Sequence, residues 1–133
     1  MTGVNRISPA RPGQANIAVH IRASIRMRIP ARKRKEARGI LSSMIERIRL
    51  EEGCLSCRLY QDTMGGKALM FEQIWADEDS FRKHLRSDEF RNLLLVVEMA
   101  SDPPEIRFDR ISQSTGIDTI EDVRKQADTR PVM

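Results

Sequence analysis

His84 and Trp75 stand nine residues apart in a chain that has 2 histidines and 1 tryptophan. An imidazole near its reference pKa of about 6.5 can accept a proton at neutral pH, so His84 is a candidate general base. It falls three residues after Phe81 and one before Leu85, on or beside an apolar helical stripe where a packed core histidine is the plainer alternative. Trp75 shares one face of a strand with Gln73, Phe71 and Leu69, as a core aromatic whose indole N–H must find a partner. Ser24, flanked on its own strand face by Arg22 and Arg26, is a candidate for binding an oxyanion. Tyr60, the only tyrosine, is at most a secondary polar contact.

Other chemistries find little support. Cys54 and Cys57 spell C-x-x-C, but on a strand an offset of three is expected to put the thiols on opposite faces. A redox pair needs them together, and a structural zinc needs about four ligands. No Ser/His/Asp order, phosphate-binding glycine loop or two-histidine metal motif is present, since His20 and His84 each lack a partner.

These residues need elements to hold them. Val19 to Ile29 alternates, with Val19, Ile21, Ala23, Ile25, Met27 and Ile29 on one side and His20, Arg22, Ser24, Arg26 and Arg28 on the other, which predicts a strand with one dry face ended by Pro30. Ile40, Leu41, Met44, Ile45 and Ile48 recur at helical spacing, predicting a helix from about Lys33 to Glu52 with Gly53 as its C-cap. Strands follow over Cys54 to Asp62 and Ala68 to Trp75, joined by a hairpin turn at Met64-Gly65-Gly66-Lys67. Ala76 to Ser80 supplies acids and a cap for a short helix bearing Phe81, His84 and Leu85. Ser87 starts a second helical piece that reaches about Ala100, before Pro103-Pro104. Glu105 to Ser112 reads as a fourth strand and Gly116 to Gln126 as a small helix.

The order β-α-β-β-α-β predicts an α+β, ferredoxin-like domain with both main helices on one face of a four-stranded antiparallel sheet. The other face is left to solvent, a ligand or a second subunit. The organisation is a disordered N-terminal arm over 1–16, one domain over 17–126 and a loose tail over 127–133.

Composition narrows the class. The chain has 133 residues, 40% hydrophobic and 32% charged, which suits one folded domain rather than a disordered polymer. No apolar run approaches the roughly 18 residues of a membrane helix. The N-terminus lacks the apolar segment of a secretory signal, so a cytoplasmic protein is expected. The net charge of +4 is unevenly spread: residues 1–40 hold ten bases and one acid, the rest thirteen bases and eighteen acids. The basic excess in the arm, on the first strand and at Arg32-Lys33-Arg34-Lys35 is read as a solvated surface rather than a polyanion site.

Three strings resemble a known family: Glu51-Glu52-Gly53-Cys54-Leu55-Ser56-Cys57-Arg58-Leu59-Tyr60-Gln61-Asp62, Phe71-Glu72-Gln73-Ile74-Trp75, and His84-Leu85-Arg86-Ser87-Asp88-Glu89-Phe90. They look like the antibiotic biosynthesis monooxygenase domain family, which includes quinol monooxygenases, over about Ala18 to Ile120. The resemblance implies a dimeric α/β barrel, a homodimer joined through the open sheet faces. It also implies a pocket between sheet and helices, and oxidation of phenols or quinols by O2 without flavin, haem or metal. Trp75 would then be a pocket wall, with Gln73, Phe71, Ser24 and Tyr60 as further substrate contacts and His84 as the catalytic residue. Two places depart from the family pattern. The Glu two residues before the Trp is here Gln73, with Glu72 on the opposite strand face, and the helical His of the haem-degrading branch is replaced by Asn92-Leu93-Leu94-Leu95.

Cofactor-independent oxidation of a small phenol or quinol is therefore the leading expectation. The alternative keeps the fold but makes it a non-catalytic dimer that binds a small aromatic or stress metabolite, as the missing Glu suggests. RNA binding, which this strand order also serves, is disfavoured because the first strand carries no aromatic residue.

Overall fold

Pro30 sets the first boundary of the chain. Its fixed φ of −55° leads directly into a helix, and having no N–H it leaves no donor unsatisfied there. In the computed structural model, which describes residues 19–128, strand β1 spans His20–Arg28 and helix α1 spans Ala31–Arg49. Strands β2 (Cys54–Gln61) and β3 (Ala68–Trp75) follow, then helices α2 (Glu78–Leu85) and α3 (Asp88–Val97), strand β4 (Glu105–Ile111) and helix α4 (Ile117–Asp128). The expected arm over 1–16 lies outside the described residues, as does the tail from 129. Residues 127 and 128 belong to α4 rather than to a loose tail.

All four strands pair antiparallel in the order β2-β3-β1-β4, so the two strands nearest in sequence to α1 are separated by β3. The alternation of β1 is realised fully, with Ile21, Ala23, Ile25 and Met27 buried beneath the helices and Ser24 facing the other way. Helix α1 buries Ala37, Leu41, Met44 and Ile48, a 4-3-4 spacing that keeps one stripe on the sheet. Ile40 and Ile45 pack along its margins. Leu93 and Val96 of α3 complete this core.

Two caps set the helices that carry the site. Asp77 accepts a hydrogen bond from the Ser80 amide at 2.8 Å to open α2. Ser87 plays the same part for α3 through the Phe90 amide, while its hydroxyl donates to the His84 carbonyl at 2.6 Å. One serine thus ties the end of α2 to the start of α3.

The C-cap of α1 is Leu50, not Gly53. Gly53 instead occupies the left-handed region at φ +83°, in the turn that enters β2. Across the sheet, Ile106 and Phe108 of β4 pair with Ile25 and Ala23 and so share the helix side, yet both stay exposed because the helices stop short of this edge. Phe81 meets Phe108 edge-on at 5.1 Å, and Arg110 donates to Glu78 of α2 at 2.9 and 3.0 Å. The apolar residues of α4, Ile117, Ile120 and Val123, are exposed as well.

Candidate active site

Trp75 closes β3, and its side chain is fully buried on the helix side of the sheet. The strand repeat of two puts Gln73 beside it, and the indole Nε1 donates to Gln73 Oε1 at 3.0 Å. An unpaired buried N–H would cost about 1–3 kcal/mol, so the amide at position 73 has a clear structural task. Phe71 lies two residues further along the same face, also buried.

From the opposite side, α2 lowers His84 onto the indole. The two rings stack with centroids 4.6 Å apart and planes 28° apart, and Phe90 of α3 meets the imidazole edge-on at 5.6 Å. His84 is 1% exposed. Its Nδ1 lies 2.8 Å from Glu51 Oε1, in the turn between α1 and β2. Its Nε2 is buried with no partner, and so is Glu51 Oε2.

Glu51 is a candidate site residue that sequence patterning does not single out. It sits in the string Glu51-Glu52-Gly53-Cys54, but nothing in the spacing says that this turn swings back to α2. The device that brings it there is Gly53. A Cβ at this position would meet the Ser80 side chain at 2.1 Å, so the turn and the start of α2 are in closest approach. The Gly53 carbonyl also accepts from the Ala76 amide at 2.7 Å, and the Cys54 amide donates to the Glu51 carbonyl at 3.1 Å. A carboxylate therefore reaches the imidazole from this turn.

Three of the expected contacts, Trp75, Gln73 and Phe71, thus share the helix side of the sheet with His84. Ser24 and Tyr60 do not. Ser24 pairs with Glu72, and Tyr60 with Met70, on the face that no helix covers. The sheet itself separates them from the His84 imidazole, because their strand positions are of opposite parity to the buried set. Within one chain, Ser24 therefore cannot supply an oxyanion donor to a ring held against Trp75. The open pocket implied between sheet and helices is also not seen around this pair, since the side chains of Trp75, Phe71, Gln73 and His84 fill the space.

The cysteines need a correction too. A β-bulge between Cys54 and Ser56 makes Leu55 an extra residue, so Cys54 pairs with Trp75 and Cys57 with Gln73. Trp75 and Gln73 share a face, and the two thiols therefore lie on one side of β2 rather than on opposite sides. Burial pushes the Cys57 thiol up to about 12, with the neighbouring Cys54 adding to the shift. Burial raises Cys54 as well. Both are free thiols, and burial disfavours the reactive thiolate at each. Arg49 donates from Nε and Nη2 to the Cys57 carbonyl at 3.2 and 2.9 Å, and a cleft of about 300 Å³ opens there between Arg49, Cys54, Ser56 and Arg58.

Among the described residues, no three His, Cys, Asp or Glu side chains converge as a metal site. No described helix is long and apolar enough to cross a membrane.

The family model for antibiotic biosynthesis monooxygenase matches residues 20–94, which spans β1 through most of α3. Solved structures with the same fold include a conserved protein of Methanosarcina mazei Go1, 29% identical, covering 69% of this chain and 92% of its own with a TM-score of 0.64. A Mycobacterium tuberculosis protein is 21% identical, covering 73% and 99% with a TM-score of 0.66. A Deinococcus radiodurans protein provisionally named an antibiotic biosynthesis monooxygenase is 14% identical, covering 73% and 97% with a TM-score of 0.67. No curated protein matches the sequence.

Proposed function

Because the chain belongs to the antibiotic biosynthesis monooxygenase family, we propose that it oxidises a small phenol or quinol with O2, using no cofactor and His84 as the base. The observation that carries this reading is the imidazole itself, buried against Trp75 with Nε2 left unpartnered. Such a nitrogen can take a hydroxyl proton from an aromatic ring lying beside the indole. The aryloxide then passes one electron to O2, giving an aryloxyl radical and superoxide. Their recombination at a ring carbon forms a peroxide, which loses water to leave a carbonyl. The net change for a phenol is ArOH plus O2 to quinone plus H2O.

The pair is sealed, so entry of a substrate requires the packing around His84 to open. Closure over the bound ring would keep water from quenching the aryloxide and the radical pair. The working unit of this reading is a homodimer, the general state of the family, formed through the sheet face that carries Tyr60, Met70 and Ile74.

The sealed site also favours a second reading, a non-catalytic dimer that binds a small aromatic or stress metabolite. Oxygen uptake with a panel of small quinols, run on the wild type and on His84→Ala, separates the two. Uptake that depends on His84 supports oxidation. Ligand-dependent thermal stabilisation without uptake supports the binding protein.

A further inference from the structure

We infer that Glu51 is a positioning residue that fixes the hydrogen of His84 on Nδ1, so that the buried site accepts only molecules able to donate a hydrogen bond: the hydroxyl form of an aromatic ring, and not its ether or its quinone. The role of Glu51 stands on geometry alone, while the ligand class rests on the oxidase reading above.

The argument starts from the 2.8 Å contact between His84 Nδ1 and Glu51 Oε1. An ionised carboxylate has acceptors only, so the hydrogen of this bond belongs to Nδ1. In the neutral tautomer with hydrogen on Nδ1, the lone pair of the ring lies on Nε2. Nothing around the ring can fill it. The Trp75 face stacks on the imidazole, and its one N–H is already given to Gln73. Phe90 offers a ring edge without a polar hydrogen.

The second orphan points the same way. Glu51 Oε2, at the other end of the dyad, is buried and unpartnered, and it too is an acceptor. The unmet demand of the dyad is therefore entirely for hydrogen. A neutral aromatic hydroxyl admitted by an opening of this packing would answer it at Nε2. A methyl ether or a quinone brings only acceptors, so lone pair would face lone pair. The oxidised product would then be poorly held by the site that bound its precursor.

Two measurements test this. With histidine labelled by ¹⁵N, two-bond correlation NMR at pH 8 reads the ring hydrogens of His20 and His84 in the intact protein. Wild type is expected to show His84 with hydrogen on Nδ1 and an unprotonated Nε2. Glu51→Gln is expected to lose that preference and Glu51→Asp to retain part of it. A wild-type ring carrying hydrogen on Nε2, alone or on both nitrogens, would overturn the role given to Glu51. Anaerobic calorimetry then compares 1,4-hydroquinone with 1,4-dimethoxybenzene. A preference of about tenfold or more for the hydroquinone is expected, falling toward parity in Glu51→Gln. Equal binding of the two would overturn the ligand class. The expected ring pattern with no binding of either compound would sink the ligand class and the oxidase reading while sparing Glu51. Turnover through His84 with the opposite ring pattern would sink the role of Glu51 and spare the oxidase.

Discussion

Gly53 and Ser80 touch so closely that a methyl group on Gly53 would lie 2.1 Å from the Ser80 hydroxyl and 2.3 Å from its Cβ. This contact presses the turn after α1 onto the first turn of α2, and the Glu51–His84 pair is built across the same junction. Gly53→Ala is expected to destabilise the protein by roughly 1–3 kcal/mol through its left-handed φ, with the clash adding to that figure. Adding Ser80→Gly should recover the clash and leave the conformational part. Urea unfolding of the two single variants and the double variant checks this, and strict additivity would contradict it.

His84→Ala is expected to lower quinol oxidation by roughly 10²- to 10⁴-fold per folded molecule. Trp75→Ala should damage both turnover and fold, since emptying a buried aromatic site typically costs about 3–5 kcal/mol. Turnover and melting temperature are to be measured on the same preparations. Unchanged turnover in a less stable His84→Ala protein would identify the imidazole as core packing.

Most of the fold was legible because its signals are local. The alternation of β1, the helical stripe of α1 and the caps at Asp77 and Ser87 each depend on neighbours a few residues away. The face shared by Trp75, Gln73 and Phe71 followed from strand parity alone. The cysteines broke that same rule, because one extra residue in β2 shifts parity and no pattern in Cys54 to Gln61 announces a bulge. Glu51 was missed for a different reason. Its meeting with His84 spans 33 residues and hangs on the backbone angle of Gly53, whose place after the helical stripe reads as a helix cap. The separation of Ser24 from the site was legible in principle, since its position on β1 has the parity of the exposed arginines.

A homodimer through the uncovered sheet face is expected to sediment at micromolar concentration as about twice the 15.3 kDa chain. The face mixes Tyr60, Met70 and Ile74 with Arg22, Arg26 and Glu72, so exposing all of it in a monomer would leave a broad half-apolar surface wet. A lone 15.3 kDa species would end this expectation.

Acid should loosen the edge of the sheet. The Arg110 guanidinium, and after it Arg82, holds the Glu78 carboxyl below its ordinary range. A carboxyl whose folded value is depressed adds stability above its unfolded value, and that stability is lost as pH falls through the folded value. The effect belongs below about pH 4.5 and is modest, because the bridge is partly exposed. Melting curves between pH 6 and pH 3 should fall less steeply for Glu78→Gln than for wild type, and parallel curves would refute the assignment.

Alkali should act through Cys57. Its thiol is raised from 9.0 to about 12 by burial, so the folded chain keeps a proton that the unfolded chain releases above about pH 9. The unfolded state then binds fewer protons, and stability declines as pH rises from about 9 toward 12. Cys57→Ala should lose a little stability at neutral pH, where it leaves a small cavity, yet decline less between pH 9 and pH 11. The same protonated thiol should resist iodoacetamide at pH 8 in the folded protein and react once urea exposes it. Mass spectrometry reads the two states directly. Rapid alkylation of Cys57 in the native protein would show that the face it shares with Trp75 and Gln73 opens to solvent.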